Sequence, residues 1–217
     1  LDFTFWDSFD YDYCDSKWPD FKEEMLCNSL CKLTEYEYNE YQIKCNDKIN
    51  RNNIKAKKNL FGYTCGSTII TVEHLMALYI YTEREDMVYF FNESWRYYRN
   101  NNNINEAYKE FIWWAKYLKE ACIVFGDIID ENKTFYRGIS RQLVFDNMKL
   151  HFNVVVSVTD NYDVARKYAE NGVILQVKRS HNSQYVRNES SYNVNELYSI
   201  DVGKLFGYNE SEYIISG

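Results

Sequence analysis

The sequence predicts an α+β protein in which a helical half precedes a strand-rich half. As far as Cys122 apolar residues recur at helical spacing, most clearly in a run of about five turns that starts at Ile104. After Gly126 the texture changes to short runs rich in β-branched and aromatic residues. Helices first and strands afterwards argue for α+β and against an alternating parallel sheet. The 217 residues are expected to form a single domain, with 1–125 as a mainly helical lobe and 126–217 as a β-rich core.

Residues 1–20, LDFTFWDSFDYDYCDSKWPD, are acidic and aromatic without a period and read as an irregular arm. From Phe21 to about Ile54 the pattern is helical but weakly so. In TVEHLMALYIYT, Thr71 suits an N-cap, Glu73 falls in the first turn, and Leu75, Leu78, Tyr79 and Thr82 line one face. A second helix is expected over REDMVYFFNESWRYYR, ended by the polar break Asn100 to Asn103. Asn103 with Glu106 then imitates a capping box, followed by the run Ile104, Ala107, Tyr108, Phe111, Ile112, Ala115, Leu118 and Cys122. The expected strands are FYRGI, FNVVVSVT, GVILQVK and EYII, with weaker ones at QYVR and LYSIDV. One amphipathic helix, NYDVARKYAE, interrupts them and puts Val164, Ala165, Tyr168 and Ala169 on a shared face.

Composition narrows the function classes. Hydrophobic residues make up 46% and aromatics 18% of the chain, so it folds and is not a disordered tail. The net charge of -7, with IKAKKN as the longest basic stretch, excludes the clustered cations a nucleic-acid surface needs. No apolar run approaches the roughly 18 residues of a membrane helix. The six cysteines (Cys14, Cys27, Cys31, Cys45, Cys65 and Cys122) all lie in the helical half. Cys27 and Cys31 stand at i, i+4 with no histidine near in sequence, which favours structural or disulfide roles over a metal site. The even count fits a secreted chain, and the compartment stays open. His74, at a helix start, is expected to be structural.

In the strand-rich half several polar residues stand at strand positions. Arg137 interrupts FYRGI. Ser157 and Thr159 interrupt a valine-rich strand and, by the period of two, share the face of Val155. Glu210 and Glu212 precede the terminal strand, where the same period puts two like charges side by side. A guanidinium, two hydroxyls and two carboxylates can converge on one cleft.

In the order FYRGI, SVTDNYDVARKYA and ESEYII the chain resembles the three-part signature of the arginine-serine-glutamate branch of ADP-ribosyltransferases. Val164-Ala165 and Tyr168-Ala169 fall at that family's offsets, and TVEHLMALYIYT, FFNESWRYY and the long helix before FYRG resemble the helical lobe of the arginine-specific mono-ADP-ribosyltransferases of vertebrates and bacterial toxins. The resemblance covers about residues 60–215. It implies a helical lobe followed by two small packed sheets with an NAD+ cleft, and transfer of ADP-ribose from NAD+ to an arginine of a protein acceptor. Glu212 would hold the ribose 2-hydroxyl and Glu210 would take the proton of the acceptor guanidinium. Arg137 would meet the pyrophosphate or adjacent ribose, Gly138 would let the backbone approach the nicotinamide amide, and Ser157 would orient Glu212. Ser157 and Thr159 would join the NAD+ contacts, and LFGYN with Tyr208 would recognise the acceptor. Val158 and Thr159 depart from the family's Thr and Ser, removing one hydroxyl and keeping the other. An NAD+ glycohydrolase and a non-catalytic binding module of the same fold stay open as alternatives. The sequon Asn209-Glu210-Ser211 lies in the expected acceptor site, where a glycan would crowd the cleft, which favours a cytoplasmic or delivered chain over a secreted one.

Overall fold

The computed structural model describes residues 20–27, 32–52, 72–101, 106–130, 132–140, 155–178, 198–209 and 211–216. The chain divides into two compact units at Phe125 and Gly126. Among the described residues the protein is a mixture of helices and two antiparallel sheets, compatible with the α+β class.

The helical unit contains α1 (Phe21–Cys27), α2 (Glu35–Asn52), α3 (Val72–Glu83), α4 (Glu85–Asn101) and α5 (Glu106–Phe125). A capping box starts α2: Glu37 N–H donates to Thr34 Oγ1 at 3.2 Å while Thr34 N–H donates back to the Glu37 carboxylate at 2.7 Å. Arg84 closes the short junction between α3 and α4, gripping Asp86 with two nitrogens and reaching Glu37 at 3.1 Å. The centre of the unit is α3, which packs against α2, α4 and α5. Its Leu75, Met76, Ala77, Leu78 and Ile80 are all fully buried, so the helix is apolar nearly all round and not along one stripe. Leu75 and Leu78 therefore lie inside as expected, while Tyr79 and Thr82 form the wetter flank. From α5 come Trp113, Trp114, Leu118 and Cys122, and Trp114 Nε1–H donates to the Ala77 carbonyl at 3.2 Å, tying α5 to α3. The polar break expected from Asn100 begins later, because α4 continues through Asn101. Thr71, Asn103, Ile104 and the QYVR strand lie outside the described residues.

The β unit contains β1 (Asp127–Ile128), β2 (Thr134–Ile139), β3 (Val155–Val158), α6 (Tyr162–Ala169), β4 (Val173–Lys178), β5 (Tyr198–Asp201), α7 (Val202–Phe206) and β6 (Tyr213–Ser216). One sheet has the order β1-β5-β6-β3 and the other pairs β2 with β4. Alternation puts Val156, Val158 and Ile215 on one face of the larger sheet, where they join Phe135, Val177 and Ile129 in a common core. Ser157 is thereby turned to the opposite face. Asn161 caps α6, its side chain accepting from the amides of Asp163 and Val164. On α6 the buried face holds Ala165 and Ala169, whereas Tyr168 is 63% exposed and does not belong to it. Small residues are needed there because α6 lies directly on β2: a Cβ on Gly138 would fall 2.0 Å from the Ala165 carbonyl oxygen. Among the described residues no helix is long and apolar enough to cross a membrane.

Candidate functional site

The site forms where two sheets share one strand end. At Thr159, on the edge of β3 that faces away from β6, the chain bonds to β2, with Tyr136 N–H donating to the Thr159 carbonyl at 2.7 Å and Thr159 N–H to the Tyr136 carbonyl at 2.9 Å. Continuing that register would set Gly138 opposite Ser157. Among the described residues no backbone bond joins these two. Instead Arg137 Nη1 donates to the Ser157 carbonyl at 2.5 Å, so a guanidinium occupies the place where the next ladder bond would fall. Since Tyr136 directs its N–H and C=O away from β4, the period of two directs those of Gly138 to the same edge.

Glu212 enters from the other side. The register of β3 with β6, extended by one residue, puts Glu212 opposite Thr159 and diagonal to Ser157. Ser157 Oγ–H donates to Glu212 Oε1 at 2.7 Å. The Glu212 main chain is fixed separately, its carbonyl accepting from the amides of Val202 and Gly203 at 3.0 and 3.1 Å. Those amides open α7, whose start is capped by Asp201 and whose end is closed by Gly207 in the left-handed region, φ 81°. Arg137, Ser157 and Glu212, spread over 75 residues of sequence, are thus brought together through Ser157, each half-buried.

Other expected residues go elsewhere or differ in role. Thr159 is buried, its backbone taken by Tyr136 and its hydroxyl accepting the Asn161 amide at 3.1 Å, so it serves the turn into α6 where a cofactor contact was expected. The absent side chain of Gly138 is accounted for by α6, while its backbone faces away from β4. Tyr208 follows the α7 cap, donating its amide to the Gly203 carbonyl at 2.8 Å with its ring 6.0 Å from Phe206. Glu210 lies outside the described residues.

Sequence reasoning missed Asp160. Its carboxylate accepts Ser211 Oγ–H at 2.5 Å and the Tyr213 hydroxyl at 3.0 Å, joining the end of β3 to the segment that carries Glu212. The signal was its place one residue beyond the expected serine-valine-threonine strand end, at the position of a turn residue. Burial, with the bond to Asp160 second, pushes the Tyr213 phenol up to about 12, so it remains a donor across the neutral range. Among the described residues there is no group of three or more His, Cys, Asp or Glu that could hold a metal ion. Comparison with family models, with curated proteins and with solved structures finds no match to this chain.

Proposed function

We propose that the protein is an arginine-directed mono-ADP-ribosyltransferase of the arginine-serine-glutamate type, consuming NAD+ and releasing nicotinamide. The observation that carries this reading is the meeting of Arg137, Ser157 and Glu212, with Ser157 bonded to both of the others. Each group suits one need of the reaction. Cleavage of the nicotinamide-ribose bond builds oxocarbenium character on the sugar, and a carboxylate bonded to the 2-hydroxyl strengthens its hold as that charge develops. Glu212 supplies the carboxylate, held in one rotamer by Ser157. The Gly138 main chain, directed away from β4, suits a planar amide with one donor and one acceptor. Arg137 brings a planar cation to the phosphate-bearing end of the dinucleotide. The nicotinamide leaves with the electron pair of the broken bond. A guanidinium nitrogen of the acceptor then bonds to the ribose carbon and gives its proton to Glu210, a residue assigned by the Glu-x-Glu spacing.

Incubation with etheno-NAD+, with and without agmatine, tests the reading. Fluorescence release that agmatine stimulates, and that Glu212→Gln abolishes, supports arginine transfer. Release indifferent to agmatine replaces it with an NAD+ glycohydrolase. No release, from wild type and Glu212→Gln alike, replaces it with a binding module. Mass spectrometry of proteins modified after incubation with NAD+ identifies the acceptor residue, and modification at residues other than arginine overturns the assigned specificity.

A further inference from the structure

Past the last backbone pair, Val158 with Tyr213, the register of β3 and β6 runs on to set Asp160 opposite Ser211, yet among the described residues no backbone bond joins these two. The two chains separate there, and what closes the gap is a side chain. Asp160 takes the hydroxyl hydrogens of Ser211 and Tyr213, the two residues that flank Glu212. In an extended segment the side chains of i-1 and i+1 point one way and that of i the other. With both neighbours pinned on Asp160, Glu212 is turned to the opposite side, where Ser157 meets it at 2.7 Å.

We propose that Asp160 is a positioning residue for Glu212: by holding Ser211 and Tyr213 together it fixes which face of the terminal segment the glutamate occupies. Asp160 touches no reacting atom in this scheme and acts through its neighbours. The arrangement is doubly anchored, since Ser157 holds the Glu212 carboxylate and Asp160 holds the residues on either side. Tyr213 is the stiffer of the two handles, because its ring packs against Phe135, 5.1 Å away, with the Lys133 ammonium over both rings, 4.0 Å from the centre of its own. The catalytic consequence rests on the transferase reading above, and the geometric one does not.

Two measurements on the full chain separate these. With glutamate carboxyl carbons labelled with 13C, the Glu212 resonance is assigned by its loss in Glu212→Gln. It is expected to shift in Asp160→Ala and to return close to its wild-type position in Asp160→Asn, which keeps one acceptor oxygen for the clamp. A resonance unmoved in a folded Asp160→Ala overturns the proposal whether or not the protein consumes NAD+. In the etheno-NAD+ assay Asp160→Ala should lower kcat by about ten- to a hundred-fold with KM for the dinucleotide changed less than about three-fold, the signature of a misplaced group. Asp160→Asn should recover most of that loss. A rise in KM with kcat intact, or an equal loss in both variants, overturns the positioning role. A silent wild type with a shifted Glu212 resonance would refute the transferase reading and leave the clamp standing.

Discussion

In the helical unit His74 and Glu120 meet at 2.7 Å deep in the packing, 1% and 7% exposed, beside the Tyr117 ring. In the β unit Ser157, Asp160 and Glu212 lie at strand ends, half-buried or exposed. Both regions contain a carboxylate held at hydrogen-bond distance, and the surroundings decide what it can do. A carboxylate enclosed in a close-packed core can only hold structure, because nothing larger than a proton reaches it without unpacking its neighbours. One at a splayed strand end remains accessible to a ligand. Polar spacing in sequence does not distinguish the two cases; burial does.

The sharpest way to break that comparison is to remove the charge on each side. Glu212→Gln should reduce NAD+ turnover by at least about a hundred-fold, as losing a group that acts on developing charge does, while its urea midpoint stays near that of wild type. A large loss of stability would move Glu212 to the structural side. Glu120→Leu should do the reverse, destabilising the fold by about 3–5 kcal/mol because His74 loses its buried partner. His74→Leu with Glu120→Leu should recover much of that loss, and a double variant as unstable as the single one would refute the paired reading. Gly138→Ala should cost about 1–3 kcal/mol, since the new methyl meets the backbone of α6 and the helix must shift. It should also lower turnover by moving β2, and a neutral effect on both would contradict the close seating of α6 on that strand.

The smallest effects concern thiols. Cys45 and Cys122 are free and buried whereas Cys27 is free and exposed. Burial pushes the Cys45 thiol up to about 12 and moves the Cys122 thiol in the same direction. Iodoacetamide at pH 8 followed by peptide mapping should therefore label Cys27 in the native protein and the other two only in denaturant. Because the unfolded chain sheds the two buried protons first, their contribution to stability is intact below about pH 9 and is lost as pH rises toward 12. Urea midpoints measured across that range check the direction.

Much of the fold was legible because hydrophobic spacing reports local geometry. The stripe Ala115, Leu118 and Cys122 fixed one face of α5, and Val156 and Val158 against Ser157 fixed the facing of β3. Other elements were not legible, for physical reasons. Wrapped by three neighbours, α3 has little amphipathic signal to give, and the face of Leu75, Leu78, Tyr79 and Thr82 is only part of what it buries. Two-residue β1 and five-residue α7 are too short to carry a period. In the site, the types and order of Arg137, Ser157 and Glu212 were readable. The part of Asp160 was not, since it depends on where two strands separate, a tertiary event with no local code. The Thr34-x-x-Glu37 box, by contrast, was present in the sequence and went unused.

Thr159, continuous with β3 of the larger sheet, bonds its main chain to β2 of the smaller one. The carriers of the cation and of the acid are therefore fastened to each other before any ligand arrives. The entropy of bringing them together is lost once, when the chain folds, and is not charged again at every encounter, so on the proposed reading affinity and rate would depend on how well the ligand fits and little on the arrangement having to form.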